Sequence, residues 1–496
     1  MSKDNKKEEK TKNNSKNNSK KEEKVNQTKK NKSKKEIKAE KKALRDYNSL
    51  KRKAKIIGII CLIIIAIELV VMYAMHLIRE SKITYVDTLY SIQNVDDEYY
   101  LAAGSSNFRH SKYNSPFTYE YEDSVQEGKI NTVYAEQAKL VKLDQELNVI
   151  FEVTFKTDYD SIFYDAAKVD DGYIAVGSYV YEEKQLSINT RDGLIVKYDF
   201  DGNVLWSKNY QVLGDTEFKK ILVLEDGFLV VGQSIYENLE IGNHDNGGGI
   251  IVKYDFDGNI LWKNNFGGNK SGIFNDVVAL DDGYIAVGKD ALNYGMIVKF
   301  DNDGNRLFVK NYEYTDPIGM SDVELKDDKL YIASSYNTSE EKDEEGNIIY
   351  QYDACIFVYD LNGELLDIYS LGGDLEDRFN SLLLLDDKIV ALGYTKSSDI
   401  ELNDLNYNED MSEGMIVTFD YEGNVLENTV YSGSKNESLN DIIVSIPSTA
   451  DKINNTKTFV VVGYSNSRRG LFNGNNKDYY AKVLRYDEKF TLLDEK

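Results

Sequence analysis

Any chemistry in this chain has to be done by carboxylates and tyrosines. The sequence holds 84 Asp and Glu against 3 His. Of the histidines, only His110 and His244 lie in the body, both in loops of variable length. A Ser-His-Asp or Cys-His arrangement needs an imidazole beside its nucleophile, so that chemistry is not expected here. Paired carboxylates could cleave a glycosidic bond if the fold brought two of them to a working separation. The competing reading is a solvated acidic surface, which this composition supplies everywhere. Acids and tyrosines are interleaved in four segments, 113–127, 236–245, 340–352 and 399–413. Tyr119, Tyr121, Tyr236, His244, Tyr352 and Tyr407 are therefore the candidate binding residues. Tyr stacks on sugar rings or packs at protein interfaces, and carboxylates hold hydroxyls or cations. Ordinary solvation of an acidic, Tyr-rich surface competes with that reading too.

The elements that must position these residues are repeats. The stretch GYIAVG (Gly172–Gly177), a polar loop, DGLIVKYDFDGNVLWSKNY (Asp192–Tyr210) and EFKKILVLED (Glu217–Asp226) recurs along the body. GFLVVG (Gly227–Gly232) leads into IIVKYDFDGNILWKNNF (Ile250–Phe266), and GYIAVG (Gly283–Gly288) into MIVKFDNDGNRLFVKNY (Met296–Tyr312). Diverged copies begin YYLAAG (Tyr99–Gly104), LYIASS (Leu330–Ser335), KIVALG (Lys388–Gly393) and FVVVGY (Phe459–Tyr464). Four short apolar runs repeating every ~45–60 residues indicate a β-propeller. We name the strands of each copy a to d. The a–b joint is tight, and the c–d joint is the Asp-x-Asp-Gly-Asn turn, whose Gly and Asn accept positive φ. The b–c and d–a joints vary. Alternate joints share a face of the disc, so one face is uniform and the other carries the variable loops, where specific binding is expected. The body opens on an a strand and ends on a d strand. The ring should therefore close by packing blade one on blade seven, with both ends on the variable-loop face.

The turn Asp199-Phe200-Asp201-Gly202-Asn203, repeated at 255–259 and 301–305 and loosely at 420–424, raises the question of calcium. The helical calcium loop needs Gly sixth, and here it is fourth. The integrin-type loop needs an acid at position seven, where this chain has Leu205, Leu261 or Leu307. A hairpin turn accounts for the motif, and no metal is expected. Cys61 and Cys355 lie far apart in different contexts, so no disulfide, CxxC pair or zinc cluster can be built from them.

The spacing Gly202-x-x-x-Trp206 and Gly258-x-x-x-Trp262 resembles the repeat of quinoprotein-like propellers, over roughly Tyr85 to Glu495. The resemblance implies that each Trp packs between neighbouring blades, with Phe151 and Phe308 in the equivalent place. Asp367 and Glu427 depart from it, so packing there must differ. Gly177, Gly232, Gly288, Gly393 and Gly463 close the b strands as structural blade residues. Quinone-holding members use vicinal cysteines. With Cys355 alone in the body, the likeness is to non-catalytic scaffold members, and no cofactor is expected.

Ahead of the repeats, residues 1–55 carry 22 Lys/Arg against 8 Asp/Glu, leaving 38 against 76 for the remainder. A basic tail thus precedes an acidic body, and the body's sign argues against nucleic acid as a partner. Residues 1–33 are too polar to bury a core. Ile56–Ile78 is apolar apart from Glu68 and His76, long enough for a bilayer core of about 30 Å, with no cleavage site after it. Dense Lys/Arg before the run places the N-terminus in the cytoplasm. Lys51, Arg52, Lys53 and Lys55 can grip anionic lipid at ~1 kcal/mol each. Glu68, a costly carboxyl at mid-span, is a candidate contact to a partner helix, or else a tolerated protonated acid.

The sequence thus predicts an all-β fold, a seven-bladed propeller of four-stranded antiparallel blades on a single-pass signal anchor in a bacterial membrane. Its parts are a tail (1–55), a transmembrane helix (56–78), a linker (79–84) and an extracytoplasmic propeller (85–496). The expected role is non-catalytic binding or scaffolding at the envelope, with cell-wall glycan or an envelope protein as partner. A carboxylate-dependent polysaccharide hydrolase or lyase, or an accessory subunit of a membrane complex, are the alternatives.

Overall fold

In this computed structural model the described residues are helix α1 (Lys34–Glu80) and the chain from 87 to 496. Left outside are the segments 107–117, 123–129, 184–187, 212–214, 235–247, 267–271, 291–292, 313–318, 340–350, 401–410, 434–435, 447–456 and 466–479, with positions 97, 135, 158 and 399. The side chains of 34–35, 60–80, 118–122, 130–134, 181–183 and 188–190 also lie outside. The chain divides into two units, Met1–Lys82 and Ile83–Lys496.

In the first unit the backbone is one helix of 47 residues, about 70 Å at 1.5 Å per residue. Among the described residues no helix is long and apolar enough to cross a membrane. Most of the apolar run Ile56–Ile78, with Glu68, falls among side chains outside the description.

The second unit contains seven four-stranded antiparallel sheets, each built of one repeat in the order a-b-c-d. Strands a of adjacent blades touch around the ring, so strand a is innermost. Apolar runs such as Gly227–Ser234 and Gly248–Tyr254 are buried on both faces, because each blade is sandwiched between two others. The outer d strands read half-exposed, as in Ile260–Phe266. The first blade carries an extra hairpin, Thr118–Glu122 with Ile130–Tyr134, in its b–c connection.

The ring closes by packing, with no strand exchanged. Strand a of blade one (Asp87–Val95) lies on strands a, b and c of blade seven. Ile92 N–H donates to Asp441 Oδ2 at 2.8 Å, and Asn440 Nδ2 donates to the Leu89 carbonyl at 2.8 Å.

The c–d turns are hydrogen-bonded hairpins. Asp199 Oδ1 accepts the N–H groups of Asp201 (3.0 Å) and Asn203 (2.8 Å), while Oδ2 accepts Asn203 Nδ2 at 2.9 Å. Those bonds, led by the one from the Asn203 side chain, hold the Asp199 carboxyl below its ordinary range. The Asp side chain thus braces its own hairpin turn. In blades one and seven the positive φ falls on Leu147 (62°) and Phe490 (56°) instead of Gly. Both are buried, and that burial offsets the strain.

The aromatic side chains of strand d do pack across blade boundaries. A Cβ on Gly258 would stand 2.8 Å from Trp206 Cη2, and one on Gly304 would stand 2.4 Å from Trp262 Cε3. Phe151 and Phe308 meet Gly202 and Gly363 in the same way. At Asp367 the substitute is Tyr369, two residues on. Its ring covers Gly423 and its hydroxyl donates to the Tyr421 carbonyl at 2.7 Å.

Candidate functional site: the central channel

What faces the axis is set by a β-bulge in strand a. The bulges fall between Leu89 and Ser91, Phe163 and Asp165, Phe218 and Lys220, Phe274 and Asp276, Phe379 and Ser381, and Leu439 and Asp441. A bulge adds one residue to one strand and re-aims its side chains. Here the added residues are Tyr90, Tyr164, Lys219, Asn275, Asn380 and Asn440, all of which line the channel.

The bulge needs glycine opposite it in strand b. A Cβ on Gly177, Gly232, Gly288, Gly393 or Gly463 would lie 1.8–2.1 Å from a carbonyl oxygen of strand a, as would one on Gly104. Blade five has Ser334 at that place. There Gly319 takes φ 66°, strand a pairs only from Asp322, and the Ser334 hydroxyl donates to the Gly319 carbonyl at 3.1 Å. The loss of glycine is matched by a changed approach of the neighbouring strand.

Just past each bulge stands a ring of equivalent positions: Ser91, Asp165, Lys220, Asp276, Asp322, Ser381 and Asp441. Its carboxylates join the blades. Asp165 Oδ2 accepts Ile221 N–H at 3.1 Å, Asp276 Oδ2 accepts Val323 N–H at 2.9 Å, and Asp322 Oδ2 accepts Leu382 N–H at 2.7 Å. Asp441 does the same to blade one. The Asn layer repeats the device: Asn275 Nδ2 donates to the Met320 carbonyl (2.6 Å) and Asn380 Nδ2 to that of Leu439 (2.8 Å).

Lys220 is the one cation of this ring. Its Nζ lies 3.8 Å from Asp276 Oδ1, and the field of Asp276 first, then Asp165, Asp322 and Asp441, holds the ammonium well above its ordinary pKa against burial. Burial pushes the carboxyls of Asp165 and Asp276 up, and that of Asp441 up to about 6. Glu324, two residues beyond Asp322, is pushed up to about 7 by burial and then by Asp322.

Together these residues enclose about 260 Å³. The lining residues cluster at the bulge of strand a in each blade, with Ser321 just ahead of the strand in blade five. On one wall Tyr90 and Tyr164 lie 5.2 Å apart at 54°. Lys219 Nζ sits 3.4 Å from the Tyr164 ring centre and 2.6 Å from Glu217, which Arg191 also holds at 2.6 Å. Arg378 Nη2 donates to Ser321 Oγ at 2.7 Å. Among the described residues no group of His, Cys, Asp and Glu is arranged to hold a metal ion.

The residues singled out from sequence lie elsewhere. Tyr352 opens strand c of blade five, half-buried opposite Asn337. Tyr119 and Tyr121 fall on the extra hairpin of blade one, with side chains outside the description, and Tyr236, His244 and Tyr407 are outside the described residues. The channel ring went unnoticed, although strand a carries its signal. A polar pair interrupts an apolar strand in Tyr164-Asp165, Asn275-Asp276, Ser321-Asp322, Asn380-Ser381 and Asn440-Asp441.

No family model matches the chain, and no curated protein does. Among solved structures it is similar to Sqt1 from Chaetomium thermophilum, at 11% identity over 83% of this chain and 89% of that one, with a TM-score of 0.40. It is similar to a putative 6-phosphogluconolactonase from Bacteroides uniformis at 11% identity over 80% and 95%, also with a TM-score of 0.40. A DUF4221 member from Bacteroides vulgatus follows at 8% identity over 79% and 100%, with a TM-score of 0.29. None of these likenesses bears on activity.

Proposed function

We propose that this chain is a non-catalytic recognition or scaffolding propeller of the bacterial cell envelope. In this reading Ile56–Ile78 anchors it, the Lys/Arg-rich tail stays in the cytoplasm, and the variable-loop face binds. The observation that carries the non-catalytic part is the employment of the channel carboxylates. Asp165, Asp276, Asp322 and Asp441 each accept a backbone N–H from the next blade. A carboxylate tied into the frame in this way is poorly free to move as an acid, base or nucleophile during turnover. No imidazole supplements them among the channel residues. The tail's excess of Lys/Arg and the run that follows, apolar but for Glu68 and His76, support the anchor.

The test uses the full chain in detergent, incubated with isolated cell-wall glycan and with solubilised envelope protein. Retention of one of these without release of soluble sugar is the expected result. Product release abolished by a single Asp or Glu change would replace binding with hydrolysis. Failure to retain either material would remove the recognition reading.

A further inference from the structure

We propose that the channel pocket is a subsite for one neutral, hydroxyl-rich sugar ring. The inference deepens the recognition reading above and rests on it.

The pocket offers what a polyol needs on every side. Its floor holds acceptors that the frame does not fill. A carboxylate has about four lone-pair sites, and Asp276 meets Val277 N–H (2.7 Å), Val323 N–H (2.9 Å) and the Asp322 carboxyl. Asp165 meets Ala166 N–H, Ile221 N–H and Ser91, so each keeps about one site for a ligand hydroxyl. Lys220 supplies donors. Its nearest carboxylate oxygen, at 3.8 Å, is beyond hydrogen-bond reach, and a gap of that length is filled by a hydroxyl or water. A sugar hydroxyl both donates and accepts, so one ring can bridge Lys220 to the carboxylates. Tyr90 and Tyr164 add aromatic surface on one wall, with Lys219 over the outer ring. A volume of about 260 Å³ admits one such ring rather than a chain.

Charge selects the class. The lining sets four carboxyls, Asp165, Asp276, Asp322 and Asp441, against the three cations Lys220, Lys219 and Arg378, so its charge is nearly balanced from within and an anionic ligand gains little. Lys220 already occupies the place a ligand cation would take. A neutral sugar satisfies both conditions.

The experiment is saturation-transfer NMR on the full chain in detergent. The probes are methyl glucoside, galactose, mannose and N-acetylglucosamine, with glucuronate and glucosamine as charged counterparts. Transfer to a neutral probe is expected, weakened about tenfold, the worth of one charge-assisted hydrogen bond, in Lys220→Met and in Lys219→Ala. The second variant changes a lining residue outside the ring of carboxylates and keeps the proposal testable should the first unfold, as judged by circular dichroism. No transfer to any neutral probe, transfer unaltered in the folded variants, or preference for a charged probe would overturn it. Envelope retention without any sugar signal would sink the subsite and leave the recognition reading standing. Loss of both would end both.

Discussion

The carboxylate of Asp276, in blade four, accepts the backbone N–H of Val323, in blade five, at 2.9 Å. Its other oxygen takes Val277 N–H of its own strand at 2.7 Å. One buried side chain thus closes two backbone donors at a blade boundary. Asp276→Ala leaves both donors unmet, which should cost about 2–4 kcal/mol. The equivalent truncation of Asp201, exposed at a turn tip, should cost under about 0.5 kcal/mol. Urea unfolding of the two variants decides it, and equal losses would contradict the role given to Asp276.

Stability should fall as pH rises across the neutral range. Glu324 and Asp441 have folded pKa values of about 7 and about 6, above those of the unfolded chain. The folded state therefore binds more protons between about pH 4 and 7. The stability this confers is full below that window and lost as pH climbs through it. Glu324→Gln removes the Glu324 part of the slope and should raise stability at pH 8 by about 1–2 kcal/mol. Melting temperatures from pH 4.5 to 8 give the comparison, and a flat profile for the natural protein would refute it.

Lys220 has the same sign, but its window lies far above neutrality. Its ammonium is held charged far above neutrality, so its contribution persists through the whole neutral range. Lys220→Met should be less harmful near pH 4, where Asp441 and Asp276, both raised, hold protons, and increasingly destabilising toward pH 8. The expected difference reaches about 2–4 kcal/mol. A loss independent of pH would mean that packing of the side-chain stem, and not its charge, is what matters.

The glycine opposite each bulge makes a sharper comparison. Gly288→Ala puts a Cβ 1.9 Å from the Ile273 carbonyl, so the bulge must shift, at about 3 kcal/mol or more. Ser334→Gly, at the matching place of blade five, removes one hydrogen bond and should cost about 1–2 kcal/mol. Denaturant midpoints of the pair test whether the bulge and the glycine are one device.

The blades were readable because their period is written twice, in apolar runs and in turn residues. Trp206 and Gly258 sit where the spacing put them, since an aromatic residue four positions after a turn glycine has only the neighbouring blade to pack on. Attention to binding went to Tyr119, Tyr236 and Tyr407 because loops vary and tyrosines bind. The channel stayed hidden for a physical reason. The polar pair in strand a marks an interruption, but whether Asp165 and Asp441 face an axis or open solvent depends on ring closure and on a one-residue bulge, which the pair alone does not specify. Lys220 is harder still, because its meaning comes from four carboxylates contributed by four other blades.

Blade seven touches blade one without sharing a backbone ladder, through contacts such as Ile92 to Asp441 and Asn440 to Leu89. The circle behaves as a split washer, because this boundary lacks the connecting chain that joins the blades at each of the others. Force or heat applied to either end of the chain meets no hydrogen-bonded strand that must first be unthreaded. Fraying should begin at this cut, and amide exchange should be faster for Ile92 than for Val323 at an interior boundary.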